Sequence, residues 1–246
     1  MAFTKKIISA GPLVKEAVYP RVNRGDSDKA RGQKKKATTE AMQKLNNRNS
    51  GQKLEMKLAA NFVPGDPVVC LTYDNAHLPK KREQVRRHVE QFIREARCLL
   101  PKKRRGSFRL IYSIEDKHGE GRWHVHLVCN APCDFKSILA CWRRGDVEVK
   151  PLLFNKEKNY ASLAHYMCKE AREKPGLRSW SCTRSCVNPE VETFAVPNDT
   201  QLSAPKGAVV IEQVKERSEY GRFEYIKYAY PEGVRRRKFA RRRRRR

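Results

Sequence analysis

The stretch Gly121-Arg122-Trp123-His124-Val125-His126-Leu127-Val128 sets two imidazoles one residue apart within an apolar run. Side chains alternate along a β-strand, so His124 and His126 share a face. Together they can hold one divalent ion if a third ligand approaches from a neighbouring strand. Glu115 is placed to be that ligand. It ends an alternating stretch in which Phe108, Leu110, Tyr112 and Ile114 face one way and Arg109, Ile111, Ser113 and Glu115 the other. Lys117-His118-Gly119-Glu120-Gly121 reads as the hairpin connection between the two strands. A carboxylate at the end of one strand and two histidines on its partner can converge on a single ion. The alternative is a half-buried strand with two histidines on its polar face.

A second group of chemical interest lies further along. Residues 159–173 have helical periodicity, with Tyr160, Leu163, Ala164, Met167 and Ala171 on one stripe. At about 100° per residue, Tyr166 falls roughly 120° from that stripe. Lys169 is its i+3 neighbour on the polar side. Tyr160 is therefore placed as a core residue and Tyr166 is not. The other account of Tyr166 is an amphipathic tyrosine on the surface.

Several elements must position these groups. Pro64-Gly65-Asp66-Pro67 forms a turn, and Val68-Val69-Cys70-Leu71-Thr72-Tyr73 reads as an interior strand. Residues 81–100 are the clearest helix, with Val85, Val89, Phe92, Ala96 and Leu99 on one stripe. Asp134 caps a short helix carrying Phe135, Ile138, Leu139 and Trp142. Asp146-Val147-Glu148-Val149-Lys150 alternates like a strand. The order β-α-β-β-α-β-α predicts an α+β fold of the ferredoxin-like split βαβ type. It is an antiparallel sheet with helices on one face and the other face open for a ligand.

Around this region, residues 1–65 read as a basic N-terminal arm with a short helix over 38–45 and a loop over 46–51. Residues 186–234 form a C-terminal extension, where Val209–Val214 and Phe223–Tyr230 suggest a β-hairpin around Tyr220-Gly221. Residues 235–246 form a polyarginine tail expected to be disordered when free.

The chain carries 54 Lys+Arg against 27 Asp+Glu, a formal charge of +27. The tail supplies ten of the positive charges, so most of the excess is spread through the body. That balance points to a polyanionic partner, most commonly nucleic acid. Eight cysteines lack regular spacing. Cys129-x-x-x-Cys133 and Cys182-x-x-x-Cys186 are candidate halves of a zinc site without the usual two-residue spacing, and reduced thiols in a cytosol are the simpler account. No apolar run reaches the length of a membrane span, and the first residues are too short a match for a secretory signal. The expected location is the cytoplasm, that of a bacterial host.

Three motifs, taken in order, resemble the HUH endonucleases, specifically the single-tyrosine rolling-circle replication initiators (Rep proteins) of small single-stranded DNA phages and plasmids. Val69-Cys70-Leu71-Thr72-Tyr73 is similar to the first motif. Trp123-His124-Val125-His126-Leu127 is similar to the second, the His-hydrophobic-His strand, with Glu115 resembling its accompanying carboxylate. Tyr166-Met167-Cys168-Lys169 is similar to the third, the Tyr-x-x-Lys helix. The resemblance covers roughly residues 66–185.

It implies a metal-dependent DNA nickase and strand-transferase. Tyr166 would be the nucleophile, Lys169 its helper, and Glu115, His124 and His126 the ligands of Mn²⁺ or Mg²⁺. Zinc held by His124, His126 and a nearby cysteine is the rival. Thr72, Arg109, Arg122, Arg143 and Arg144 are the expected DNA contacts. Tyr160, His118 and His165 are expected to stand outside the chemistry. The implied partner is a single-stranded DNA origin. The chain shows no Gly-x-x-x-x-Gly-Lys-Ser/Thr loop, so helicase as well as polymerase would come from the host. The alternatives are a non-catalytic basic nucleic-acid-binding or packaging protein, and another HUH enzyme, a relaxase or transposase.

Overall fold

The computed structural model describes residues 3–21, 40–117, 122–155, 159–170, 178–218 and 221–230. In chain order the elements are β1 (Phe3–Ala10), β2 (Leu13–Pro20), α1 (Glu40–Asn61), β3 (Pro67–Leu71), α2 (Arg82–Cys98), β4 (Leu110–Lys117), β5 (Arg122–Cys129), α3 (Phe135–Leu139), β6 (Val147–Pro151), α4 (Ala161–Met167), β7 (Ser181–Cys182), β8 (Glu190–Val196), β9 (Val209–Ser218) and β10 (Gly221–Ala229). The chain is α+β and forms two compact units, residues 27–189 and residues 1–26 together with 190–246. Among the described residues no helix is long and apolar enough to cross a membrane.

The unit spanning 27–189 is built on a five-stranded sheet in the order β6-β3-β5-β4-β7. β5 runs antiparallel to β3 on one side and to β4 on the other, so β3 and β4 are parallel with β5 between them, a split βαβ arrangement. One face carries Val69, Leu71, Leu110, Tyr112, Ile114, Trp123, Val125 and Leu127. These pack on the α2 stripe of Val85, Val89, Phe92 and Ala96 and on Ile138 and Trp142 from the α3 region. Leu99, expected on the α2 stripe, lies past the helix end and is 44% exposed; Leu100 is buried instead. The α2 start is tied down by Gln84 Oε1, which accepts from the backbone N–H of Lys80 (2.7 Å) and Lys81 (3.2 Å). Asp134 caps α3 as expected, accepting from the backbone of Ser137 at 3.0 Å.

The opposite face, expected to be open, is covered in part. α4 lies against it through Tyr166 and His126, and α1 packs on α4. α1 is one 22-residue helix where a short helix and a loop were expected. The Asn46–Gly51 run has weak helix propensity, but packing overrides it. Leu54, Met56, Leu58 and Ala59 are buried. Lys57 Nζ donates to Asn188 Oδ1 at 2.7 Å and to the Cys186 carbonyl at 3.2 Å. Asn61 exchanges two hydrogen bonds with the Val187 backbone.

The other unit is an antiparallel sheet in the order β8-β1-β2-β10-β9. Its core holds Phe3, Ile7, Val14, Val18, Leu202, Ile226 and Tyr228. Glu16, buried beneath it, accepts from Tyr228 Oη at 2.7 Å and pairs with Lys5 Nζ at 2.7 Å. The first twenty residues are thus strands within a sheet, where the sequence reads as an arm. The two-residue turn Gly11-Pro12, with Gly11 at φ 53°, joins β1 to β2. The expected polyarginine tail lies outside the described residues.

One backbone approach shapes the end of the β3 strand. Thr72 N–H donates to the Asp146 carbonyl (3.0 Å) and Asp74 N–H to the Arg144 carbonyl (2.8 Å), with Gly145 between. Gly145 has φ 154°, and a Cβ there would stand 2.6 Å from Thr72 O and 2.7 Å from Asp74 N. Backbone cannot yield as a side chain can. Gly145→Ala is expected to destabilise the protein by about 2 kcal/mol or more in urea unfolding, and a change within about 0.5 kcal/mol would show that the approach is relaxed.

Candidate active site

The antiparallel register places the candidate groups in rows. Glu148 (β6), Cys70 (β3), His126 (β5) and Ser113 (β4) are successive cross-strand partners, and Glu115 pairs with His124 in the next row. Register partners share a face, so all six lie on the side opposite the core of Trp123, Val125 and Leu127. His126 is 9% exposed and His124 half-buried.

Tyr166 reaches this row from α4. Its hydroxyl is 3.0 Å from His126 Nε2, and the two rings meet edge to face at 4.8 Å between centroids. Glu115 Oε2 is 2.8 Å from the same nitrogen. Phenol, imidazole and carboxylate thus converge on one point. Tyr166 is 47% exposed, so the hydroxyl is open to a large substrate. Burial pushes its pKa up to about 12, reinforced by the negative charge of Glu115 and Cys70 and by a hydrogen bond with Glu115. At neutral pH the phenol keeps its proton until something offsets that charge. Tyr160 has the opposite character. It is 2% exposed and stacked on Phe154 at 4.6 Å, and burial raises its pKa.

Among the described residues, one group of potential metal ligands has its donor atoms all within 4.8 Å of one another: Cys70, His124 and His126. Cys70 Sγ is 3.9 Å from His124 Nδ1. Two imidazoles and a thiol with a carboxylate against one imidazole form a donor set suited to a divalent cation. Glu115 itself stands on His126 rather than inside that cluster. The pairs Cys129/Cys133 and Cys182/Cys186 belong to no such cluster among the described residues. No disulfide links any of the eight cysteines.

The other expected residues divide by location. Lys169 is exposed, three positions past Tyr166, with α4 ending at Met167; the helix expected to run to 173 passes out of the described residues after 170. Arg122 is exposed two residues before His124 and donates to Asn75 Oδ1 at 2.9 Å. Arg143 is exposed in the loop that pairs with the end of β3. Thr72 is engaged internally, its Oγ1 donating to the Asp146 carbonyl and accepting from the Asp146 N–H, both at 3.1 Å. Arg144 donates to Gln91 Oε1 at 2.8 Å and lies over the Trp142 ring. Arg109 sits at the far end of β4 from Glu115, about 20 Å away at the rise of an extended strand. His165 is exposed and His118 lies outside the described residues.

The sequence reading did not assign Cys70 and Glu148 to the site. Each sits in an alternating strand on the correct parity, a signal that becomes usable only once the strand order is known. Residues 66–174, which carry the histidines and Tyr166, match the family model for replication-associated proteins of the ORF2 type. That match takes in less than half of the chain and supports a role in replication. No curated protein and no solved structure gives a significant match.

The Tyr160 hydroxyl is buried without a hydrogen-bond partner among the described residues. Removing an unsatisfied hydroxyl costs little, so Tyr160→Phe is expected to keep or raise the melting temperature, with a gain of up to about 1 kcal/mol. A clear loss of stability would mean that the hydroxyl is bonded in solution.

Proposed function

We propose that this protein is an HUH-type replication initiator that nicks single-stranded origin DNA through Tyr166 and rejoins strands in rolling-circle replication. The observation that carries this reading is the 3.0 Å approach of the Tyr166 hydroxyl to His126 Nε2, on the face where His124 and Glu115 also lie. A surface tyrosine with only a packing role has no reason to end on an imidazole flanked by a carboxylate. The replication-associated family match over residues 66–174 supports the same class.

In this reading His124 and His126, with Glu115 beside them, hold a divalent cation that neutralises charge on the scissile phosphate. Tyr166 Oη attacks phosphorus in line, the P–O3′ bond breaks, and the products are a 5′-phosphotyrosine and a free 3′-hydroxyl. Glu115, adjacent to the phenol, takes the phenolic proton, and the departing 3′ oxygen is protonated from solvent. The phosphodiester energy stays in the covalent link, so a later 3′-hydroxyl can reverse the step. Lys169 stands one helical turn from Tyr166 as a positive charge for a phosphate. Arg122 and Arg143, exposed at the His124 end of the sheet, offer backbone contacts, and the net charge of +27 makes binding salt-sensitive. Strand separation and synthesis would fall to host helicase and polymerase.

The test is incubation with single-stranded oligonucleotides from the element's own intergenic DNA and a divalent cation, followed by denaturing electrophoresis. The wild type is expected to form a denaturant-resistant adduct. Tyr166→Phe should bind the DNA and lose the adduct by about a thousand-fold or more. An undiminished adduct with Tyr166→Phe would move the nucleophile elsewhere. Salt-dependent binding with no adduct in the wild type would leave only a nucleic-acid-binding protein.

A further inference from the structure

The site face contains a soft donor that a purely oxygen- and imidazole-ligated cation site would not use. Cys70 is the cross-strand partner of His126, and its Sγ lies 3.9 Å from His124 Nδ1. Two donors bound tetrahedrally at ordinary Zn–S and Zn–N lengths stand roughly 3.5 Å apart. Small side-chain rotations therefore bring sulfur and nitrogen to coordinating separation. The three donor atoms of Cys70, His124 and His126 already lie within 4.8 Å of one another. Cys70 is half-buried, unlike Cys129 and Cys168 in the interior, so its sulfur borders the site. Glu115, by contrast, is directed at His126 Nε2.

We infer that Cys70 is a metal ligand alongside His124 and His126, and that the site takes a borderline-soft divalent ion, zinc by preference, over Mg²⁺ or Mn²⁺. The inference rests on the reading above that the two histidines hold a cation, and specifies which class of cation. Thiolate and imidazole donors favour zinc and its neighbours, whereas Mg²⁺ and Mn²⁺ favour carboxylate, carbonyl and water. On binding, the Cys70 S–H bond breaks, sulfur coordinates as thiolate and the proton passes to solvent. Three protein ligands then leave a position for an oxygen of Glu115 or of substrate, the pattern of a catalytic rather than a structural zinc site.

Cobalt(II) serves as the probe because sulfur ligation gives a near-ultraviolet charge-transfer band that oxygen and nitrogen ligation do not. The full-length reduced protein is titrated anaerobically with Co²⁺ and then with Zn²⁺ in competition with Mn²⁺, and bound metal is counted by atomic emission. The wild type is expected to show the band at one equivalent and to prefer Zn²⁺. Cys70→Ser and Cys70→Ala should lose the band and bind zinc at least about tenfold more weakly, with unchanged circular dichroism. A band that persists in both variants would assign the sulfur to another cysteine and overturn the inference. Cobalt binding that depends on His124 and His126 but shows no sulfur band would also overturn it, while leaving the two-histidine cation site intact. Absence of binding, or binding unaffected by His124→Ala with His126→Ala, would remove both.

Discussion

The candidate site depends on a single register, that of β5 between β3 and β4. Side chains on a strand alternate, so a slip of one residue would turn His124 and His126 into the core and expose Trp123, Val125 and Leu127. Those three are 8%, 0% and 0% exposed. At about 1.5–3 kcal/mol for each large apolar side chain removed from water, the slip would cost on the order of 5 kcal/mol before the desolvation of two imidazoles is added. The hydrophobic face thereby holds the chemical face in place. The histidines need no packing of their own to be aligned.

The tyrosine is held by different means. α4 has seven residues, too few to be helical alone in water, so its geometry comes from its neighbours. Ala164, Met167 and Cys168 are buried on its inner side. Just beyond its end, Glu170 accepts from Arg82 Nη1 at 2.9 Å and from the Asp116 N–H at 3.2 Å, while Arg82 Nη2 reaches the Ile114 carbonyl at 3.0 Å. This largely buried ion pair ties the segment bearing Tyr166 to the start of α2 and to the strand bearing Glu115. Loss of either partner would leave a charge with little water to replace it.

What the sequence disclosed follows from locality. The shared face of His124 and His126, the α2 stripe and the off-stripe position of Tyr166 depend on residues within one element, where the 2.0 and 3.6 periods suffice. Cys70 and Glu148 join His126 only because β3 and β6 lie next to β5 and β3 in the sheet, and no local pattern encodes that order. Thr72 and Arg144 look like free ligands for a phosphate until the structure shows them bonded to Asp146 and Gln91. The helix over Asn46–Gly51 and the strands within the first twenty residues share one cause. Weak local preference is overridden by partners more than a hundred residues away, Val187 for Asn61 and Tyr228 for Glu16.

The interleaving of the two units also orders events on the ribosome. Every strand of the sheet carrying the histidines has been made once residue 182 has emerged, and α4 precedes that point. The other sheet takes two strands from residues 3–20 and three from residues 190–229, so its first hairpin must wait for almost the whole chain. Domains tend to fold as they are completed during synthesis. The imidazole-bearing unit is therefore assembled first, and early termination of translation would spare it while leaving the β1–β2 hairpin an orphan with exposed edges.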